Sequence, residues 1–494
     1  MSLLLTVDPG APVPLWQQIV SRVKALVEEG ALVGGDRLPP TRVLAGQLGV
    51  NRSTVCRAYE ELWALGLLQS RQGSYSTIRG RTRGVVDSSR PAGRAAPSWD
   101  RLSSPASRGA YRAALALPRL ATPGPGAIDF ARLSADPDLC PLAEVRRAVR
   151  QVLVEDGKRV LDYADPAGFR PLRETLARRM RAHGIRVTAD EILLTNGAQQ
   201  ALDLSLRLLG RPGAHAAIEV PTYGLLLPLL RLAGTRPLEI PMTDAGMDLD
   251  VLERRLKRRR PALLYTVPNF QNPTGITTGQ AHRERLLSLC EAHGVPVVED
   301  GFEEDMKYFG RAVLPIKSMD ASGLVVYVGT FSKVVFPGLR VGWIAADREC
   351  VRRLALLARA GSLSGNTLAQ AAVDRFCAGG RYDAYLRRLH AEYRRRMTAL
   401  LKGLAAHVPE GAAEWTRPAG GCTSWLTVKG AGPRQEAALV QRCRAAGVAV
   451  TPGSVFFPSP PRGLHLRLSI ARVKAHDIGE GCRRLGRAIA AAER

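Results

Sequence analysis

Lysine is scarce in this 494-residue chain, with nine residues against 61 arginines. Aromatic residues make up only 5%, and long apolar runs are missing. The longest, 225–230, contains Pro228 and stops at Arg231, far short of the roughly 20 apolar residues that a membrane helix needs. The opening MSLLLTVDPG has no basic segment and too short an apolar run for a secretory signal. Eight cysteines (Cys56, Cys140, Cys290, Cys350, Cys377, Cys422, Cys443 and Cys482) form no CxxC pair and have no ligand-spaced histidines nearby. That pattern reads as buried thiols in a reducing cytosol without a structural metal. No internal repeat is visible.

What is present is a soluble globular composition, with 46% hydrophobic and 23% charged residues. The length exceeds one ordinary core and predicts two or three domains. Seventy basic against 45 acidic residues give a formal charge of +25, which favours contact with a polyanion. Residues 1–80 carry +2, residues 81–126 carry +6 and the remainder +17. The excess is therefore spread along the chain rather than gathered in one element, and a GC-rich genome also produces an Arg-rich, Lys-poor composition. Between 79 and 127 the sequence turns to Arg, Ser, Pro and Gly with little apolar periodicity. We read 81–126 as a linker with a short helix at 110–117, separating a module at 1–80 from a larger one at 127–494.

In the first module, 16–29 places Ile19, Val23, Leu26 and Val27 at helical spacing, and Gly30 ends the run. A second helix follows Pro39-Pro40-Thr41 with Leu44, Ala45 and Leu48 on one face. Gly49 then gives a tight turn, and Asn51 caps a third helix bearing Val55, Tyr59 and Leu62. GLLQSRQGSYSTI follows as two short β-like runs around Gln72-Gly73. The outline is a winged helix-turn-helix. The start of the third helix offers Asn51, Arg52, Ser53 and Thr54, with Arg57 one turn on, to base edges in a major groove; Arg42 and the wing at 71–74 are placed to hold phosphates. A small helical protein–protein module is the alternative that this pattern leaves open.

The run from PLWQQIV to SRQGS resembles the DNA-binding domain of GntR-type bacterial regulators over about 65 residues. The resemblance rests on LPxxRxLA at 38–45, GVxRxTVxxAYxxL at 49–62 and an RxGxG-like wing. The wing departs at Ser74-Tyr75-Ser76, where a second glycine is usual. Arg42, Arg52, Thr54, Arg57 and Gly73 are the DNA contacts that the resemblance implies, with Ser53 beside them.

From Ile128 onward, apolar β-like segments at 191–194, 215–220, 262–267, 295–299, 324–328 and 341–345 alternate with amphipathic helices. They predict a mostly parallel sheet covered on both faces. Ligand groups gather at the C-terminal ends of such strands. Thr195-Asn196-Gly197-Ala198-Gln199 ends one strand and opens a helix, where backbone N–H groups can hold a phosphate. Asn272-Pro273-Thr274-Gly275 follows another strand. Glu299-Asp300 ends a third, where a buried carboxylate can pair with a protonated ring nitrogen. Gly329-Thr330-Phe331-Ser332-Lys333 puts an amine beside hydroxyls, with Arg340 seven residues on. Each element alone is common in structural turns. Together they supply a phosphate cradle, a donor to a ring hydroxyl, a partner for a pyridinium nitrogen and a Schiff-base amine, the groups that pyridoxal 5'-phosphate (PLP) requires.

The order and spacing resemble fold-type I aminotransferases from about residue 126 to the end. By that resemblance Lys333 of GTFSKVVFPGLRVG is the Schiff-base lysine, Asp300 holds the pyridine nitrogen and Asn272 the ring O3′. Tyr223 stacks on the ring, while Gly197, Ala198, Gln199, Thr330, Ser332 and Arg340 bind the phosphate. Arg467 of LHLRLSIA clamps a substrate carboxylate through a bidentate pair. Two departures stand out: Phe302 replaces a tyrosine that also bonds O3′, and Leu133 stands about where a glycine lines the substrate pocket.

A GntR-type module joined to an aminotransferase-like domain is similar to the MocR family of bacterial transcription regulators. YADPAGFRPLRETLARRM (163–180), TNGAQQALDL and YLRRLHAEYRRRM (385–397) agree. The resemblance implies a cytoplasmic, nucleoid-associated homodimer that reads promoter repeats in double-stranded DNA. Its PLP-bearing domain would sense an amino acid, an amine or a vitamin B6-type effector. An active PLP-dependent aminotransferase with an accessory DNA-binding module is the alternative.

Overall fold

The computed structural model describes residues 5–70, 75–79, 98–115, 124 and 126–491. Two compact units divide at Ser98/Trp99. The first contains α1 (Leu15–Glu28), α2 (Thr41–Leu48) and α3 (Arg52–Ala64), followed by an antiparallel hairpin of β1 (Leu68–Ser70) and β2 (Ser76–Ile78). Ile19, Val23, Leu44, Val55 and Leu62 are completely buried at its centre. Gly49 takes a left-handed φ of +65° and closes α2, a backbone state that glycine adopts at little cost. The Asn51 side chain accepts the Ser53 N–H at 2.9 Å and so caps α3. Arg37 bridges to Thr77 and extends the hairpin. Helix, helix-turn-helix and wing strands thus follow the predicted order.

The second unit departs from the expected linker. Its helix α4 (Pro105–Leu115) starts five residues ahead of the helix expected at 110–117 and packs on α7 (Leu226–Leu232). The contacting face carries Gly109 and the buried Ala110, with Arg231 opposite Gly109. Alanine and glycine make a face that buries by close approach, so no periodicity of large apolar residues marks it, and the linker reading of 99–115 is corrected.

The large sheet comprises β3 (Ile192–Thr195), β4 (His215–Val220), β5 (Arg236–Thr243), β6 (Gly246–Met247), β7 (Leu263–Thr266), β8 (Val297–Asp300), β9 (Val325–Thr330) and β10 (Gly342–Ala345). Its spatial order is β3-β10-β9-β8-β7-β4-β5-β6. The pairs from β9 to β5 are parallel, whereas β10 runs antiparallel to both neighbours and β6 folds back on β5. Strand alternation feeds two cores. Leu263, Tyr265, Val298, Val326 and Val328 face the side covered by α6 (Ala198–Leu209) and α7. Leu264, Val297 and Val325 face the opposite side with Leu252, Leu286 and Leu287.

Beyond the sheet, α8 (Arg381–His407) packs on α9 (Ile478–Ala490), and α5 (Arg170–Ala182) packs on β3. A second sheet joins β11 (Ala413–Trp415), β12 (Thr423–Val428), β13 (Thr451–Pro452) and β14 (Leu464–Ser469) in the order β11-β12-β14-β13. Neither this sheet nor β5 is anticipated from the sequence pattern; Pro237 and Pro241 inside β5 weaken its strand signal. Among the described residues no helix is long and apolar enough to cross a membrane.

Gly342 begins β10 directly beneath the turn that opens α6. A Cβ there would lie 2.8 Å from the Gly197 Cα and carbonyl carbon and from the Gly329 oxygen, backbone atoms that cannot yield separately. Gly342→Ala is therefore expected to lower stability by about 1–3 kcal/mol, measured by the denaturant midpoint.

Candidate functional site

The C-terminal ends of β3, β7, β8 and β9 converge on one cleft. Ala198, Gln199, Tyr223, Asn272, Asp300, Thr330, Ser332, Lys333 and Arg340 all line it. Gly197 stands one residue before Ala198 as the N-cap of α6, with φ +81°. Its missing side chain makes room for Arg340, whose guanidinium nitrogens would lie 3.0 Å from a Cβ at that position. Arg340 itself is exposed, adopts a left-handed φ of +52° and donates from Nη2 to the Asn196 carbonyl. The Thr330 hydroxyl donates to Ser332 Oγ at 3.0 Å, and the Ser332 N–H donates to Thr330 Oγ1 at 3.1 Å. A helix start, two hydroxyls and a guanidinium thus surround one end of the cleft, the set that holds a phosphate.

At the cleft floor, β8 ends in two carboxylates that strand alternation turns opposite ways. Glu299 accepts the Ile316 and Lys317 N–H groups at 2.8 Å each and fixes the following loop. Asp300 faces the cleft, only 3% exposed. Its Oδ2 accepts the Tyr265 hydroxyl at 2.9 Å, while Oδ1 is buried with no hydrogen-bond partner. Burial pushes its carboxyl up to about 6, against the pull of the Tyr265 hydroxyl and of Lys333. A buried acceptor left open is costly, and a protonated ring nitrogen is a group that satisfies it.

Asn272 and Tyr223 are set by a different carboxylate. Glu219, at the end of β4, accepts the Val267 N–H at 3.1 Å and the Gln271 side-chain amide at 3.2 Å. Gln271 in turn donates to the Pro221 carbonyl at 2.8 Å and accepts the Thr274 N–H at 2.9 Å. This network ties the loops bearing Tyr223 and Asn272 together. Tyr223 donates its hydroxyl to Gln199 Oε1 at 3.1 Å, and burial drives its phenol well above the usual range.

Arg467 lies on β14, opposite Trp425 of β12 and Thr451 of β13, and reaches the cleft through Asn272. Its Nη1 donates to Asn272 Oδ1 at 3.3 Å, and its Nη2 donates to the Ala131 carbonyl at 2.7 Å and to Thr451 Oγ1 at 3.1 Å. Phe456 packs under the guanidinium at 5.1 Å. Burial lowers Arg467 to about 10. Lys333, half-buried, donates from Nζ to the Leu133 carbonyl at 2.7 Å, and burial lowers its amine below the usual lysine value. One short segment therefore receives both cations. Asp129 shapes it, with Oδ1 accepting the Ala131 and Arg132 N–H groups at 3.0 and 3.1 Å. Leu133 contributes its carbonyl at the position where the resemblance places a pocket-lining glycine.

Sequence reasoning missed Tyr265, and the signal was available: an aromatic near the end of one strand, beside a neighbour ending in aspartate. Phe302 lines the cleft and brings no hydroxyl.

In the first unit, Arg42, Arg52 and Ser53 are exposed and Thr54 is half-buried. Arg52 Nε approaches Thr41 Oγ1 at 3.4 Å, linking the start of α3 to α2. The Arg57 guanidinium stacks over Trp16 at 4.4 Å, so it is braced against α1. Gly73 lies outside the described residues. Arg37 stacks over the half-exposed Tyr75 at 5.5 Å, an exposed pair beside the wing that the sequence motifs did not single out.

Residues 133–485 match the aminotransferase class I and II family, and residues 15–78 match the gntR family of bacterial regulatory proteins. The chain is a MocR-type member of the aminotransferase class I and II family. It is 32% identical to the HTH-type transcriptional regulator TauR of Rhodobacter capsulatus, covering 95% of this chain and 96% of that one. It is 29% identical to the probable rhizopine catabolism regulatory protein MocR of Rhizobium meliloti, covering 99% and 97%. Among solved structures, the α-aminoadipate aminotransferase LysN of Thermus thermophilus, complexed with N-(5'-phosphopyridoxyl)-L-leucine, superposes with a TM-score of 0.73 at 32% identity, covering 80% of this chain and 99% of that one. Both relatives match this MocR-type chain along nearly its whole length, across the gntR-type unit and the aminotransferase unit together.

Tyr265→Phe removes the one hydroxyl bonded to Asp300. The variant is expected to lose about 1.5–3 kcal/mol, the worth of a hydrogen bond to a charged group, in equilibrium unfolding.

Proposed function

We propose that the chain is a PLP-dependent DNA-binding transcriptional regulator whose aminotransferase-like domain senses an amino acid, an amine or a B6-type compound. The carrying observation is the cleft itself: a lysine amine and a buried aspartate with an open acceptor face one space, in a chain that begins with a gntR-type domain. Lys333 would hold the cofactor covalently, Asp300 its ring nitrogen and Asn272 its ring hydroxyl. Tyr223 would lie against the ring. Gly197, Ala198, Gln199, Thr330, Ser332 and Arg340 would hold its phosphate, and Arg467 an effector carboxylate. PLP supplies an electrophilic carbon that combines with amines; the residues here bind, orient and exclude water.

On the DNA side, Arg42, Arg52, Ser53, Thr54, Arg57 and the wing at Gly73 would meet double-stranded promoter DNA, with the start of α3 toward base edges. The protein would act as a homodimer on repeated sites in a bacterial cytoplasm. A coupling of about 1–3 kcal/mol between effector and DNA suffices for such a switch. The intact Lys333 and Asp300 support a second reading, a working aminotransferase with an accessory DNA-binding module. A panel of amino acids and amines, added singly to the PLP-loaded protein, separates the two. A lasting spectral change without keto acid supports the regulator, whereas conversion to the pyridoxamine form, reversed by keto acid, supports the enzyme.

Lys333→Ala is expected to abolish the borohydride-trappable link to PLP and the effector response, while DNA affinity without effector stays within about threefold; an unchanged effector response would count against the reading. Arg52→Ala is expected to cost about 1–3 kcal/mol in binding to the chain's own promoter fragment, with the visible spectrum of the cofactor unaltered.

A further inference from the structure

Asp300 offers one oxygen to the cleft because the other is held, and the residue that holds it belongs to none of the sequence motifs. Tyr265 is 1% exposed. It stands on β7 opposite Val298 of β8, and Asp300 follows two residues on, so strand alternation puts both side chains on one face of the sheet. The phenol spans that diagonal and donates to Asp300 Oδ2 at 2.9 Å. The neighbours on the same face are Ile218 of β4, Val298, and Val326 and Val328 of β9, none of which carries a side-chain donor. The other polar groups of the cleft turn elsewhere. Tyr223 donates to Gln199 at 3.1 Å, Thr330 to Ser332 at 3.0 Å and Lys333 to the Leu133 carbonyl at 2.7 Å. The Phe302 N–H and Lys333 draw the acid toward its anion yet leave Oδ1 without a hydrogen-bond partner. Glu219, a second buried acid at the end of β4, opposes the Asp300 charge and is itself held by Thr266, Val267 and Gln271.

Burial holds the Tyr265 phenol well above its usual range, so it stays protonated and acts as the donor. A hydrogen bond given to the charged form of an acid favours that form, whereas desolvation favours the neutral one. We propose that Tyr265 is a positioning residue for the cofactor's ring nitrogen: by holding Oδ2 it turns Oδ1 to the cleft and keeps Asp300 the anion, so that the proton between acid and ring rests on the ring. The proposal rests on the reading of the cleft as a PLP site. Without the hydroxyl, Asp300 is a buried carboxylate with two open oxygens, and the cheaper state is the neutral acid. A neutral acid meets the ring nitrogen as a donor and leaves the ring uncharged.

The test is the nitrogen NMR resonance of PLP labelled with 15N in the ring and bound to the full-length protein, because that resonance reports the ring proton directly. The wild type is expected at the protonated position, and Tyr265→Phe moves the resonance toward the neutral one. In parallel, the preference for PLP over 1-deaza-PLP, which has a CH in place of the ring nitrogen, is read as a ratio of dissociation constants. Y265F is expected to lower that ratio about tenfold or more, the worth of one hydrogen bond to a charged group. A purely structural role for Tyr265 lowers stability and moves neither reading. A neutral ring in the wild type, or a resonance and a preference that Y265F leaves unmoved, overturns the proposal. Should Y265F not fold by circular dichroism, the same substitution is made beside Asp300→Asn, which removes the buried charge. A preference within about twofold of that of D300N alone supports action through the Asp300 carboxylate, and a larger change overturns it. A wild-type protein that takes up no PLP overturns the cofactor reading and this inference with it, whereas a protonated wild-type ring that Y265F leaves unmoved overturns the role of Tyr265 alone.

Discussion

A carboxylate taken out of water must meet a proton, a cation or a set of donors, and that requirement organises the large unit around Asp300. Its strand is flanked by parallel neighbours on both sides, so the acid sits deep in the sheet with one oxygen satisfied by Tyr265 and the other open. Desolvation in such a place raises the proton affinity of the acid, and a cationic ring nitrogen relieves the cost. The parallel sheet brings its strand ends together, which is why the Gly197 turn after β3, the Asn272 loop after β7 and Lys333 after β9 all meet the same acid.

The same chemistry can serve sensing or turnover, and the difference lies in what the residues do after an amine arrives. Binding that is equally strong along the reaction coordinate holds a ligand without hastening its conversion. The cleft has a lysine, an anchored guanidinium and no hydroxyl at Phe302. On the proposed reading these groups would hold an amino acid and leave proton movement to fewer partners. A regulator needs only that occupied and empty states differ in free energy for the DNA-binding form.

Most of the cleft was legible from the sequence because its residues follow strand ends, where short motifs such as NPTG and TFSK keep their order whatever the packing. The helix-turn-helix was legible for a related reason: Gly49 and Asn51 mark a left-handed turn and a cap that local chemistry dictates. What escaped depends on contacts between distant segments. Tyr265 matters only through its bond to Asp300, 35 residues away. The docked helix at Pro105–Leu115 escaped because small residues carry no periodic apolar signal. The sheet of Ala413–Trp415, Thr423–Val428, Thr451–Pro452 and Leu464–Ser469 pairs strands in an order that the chain does not follow.

The segment from Asp129 to Leu133 lends the carbonyls of Ala131 and Leu133 to the two cations of the cleft. Any molecule that claims Lys333 and Arg467 for itself competes with those two oxygens, and a backbone carbonyl deprived of its donor must find water or another N–H. The strand Ile128–Asp129, paired with Val448–Ala449, leads directly into this segment. Filling the cleft would thereby open a vacancy in main-chain hydrogen bonding at Ala131 and Leu133, next to the strand that pairs with Val448–Ala449.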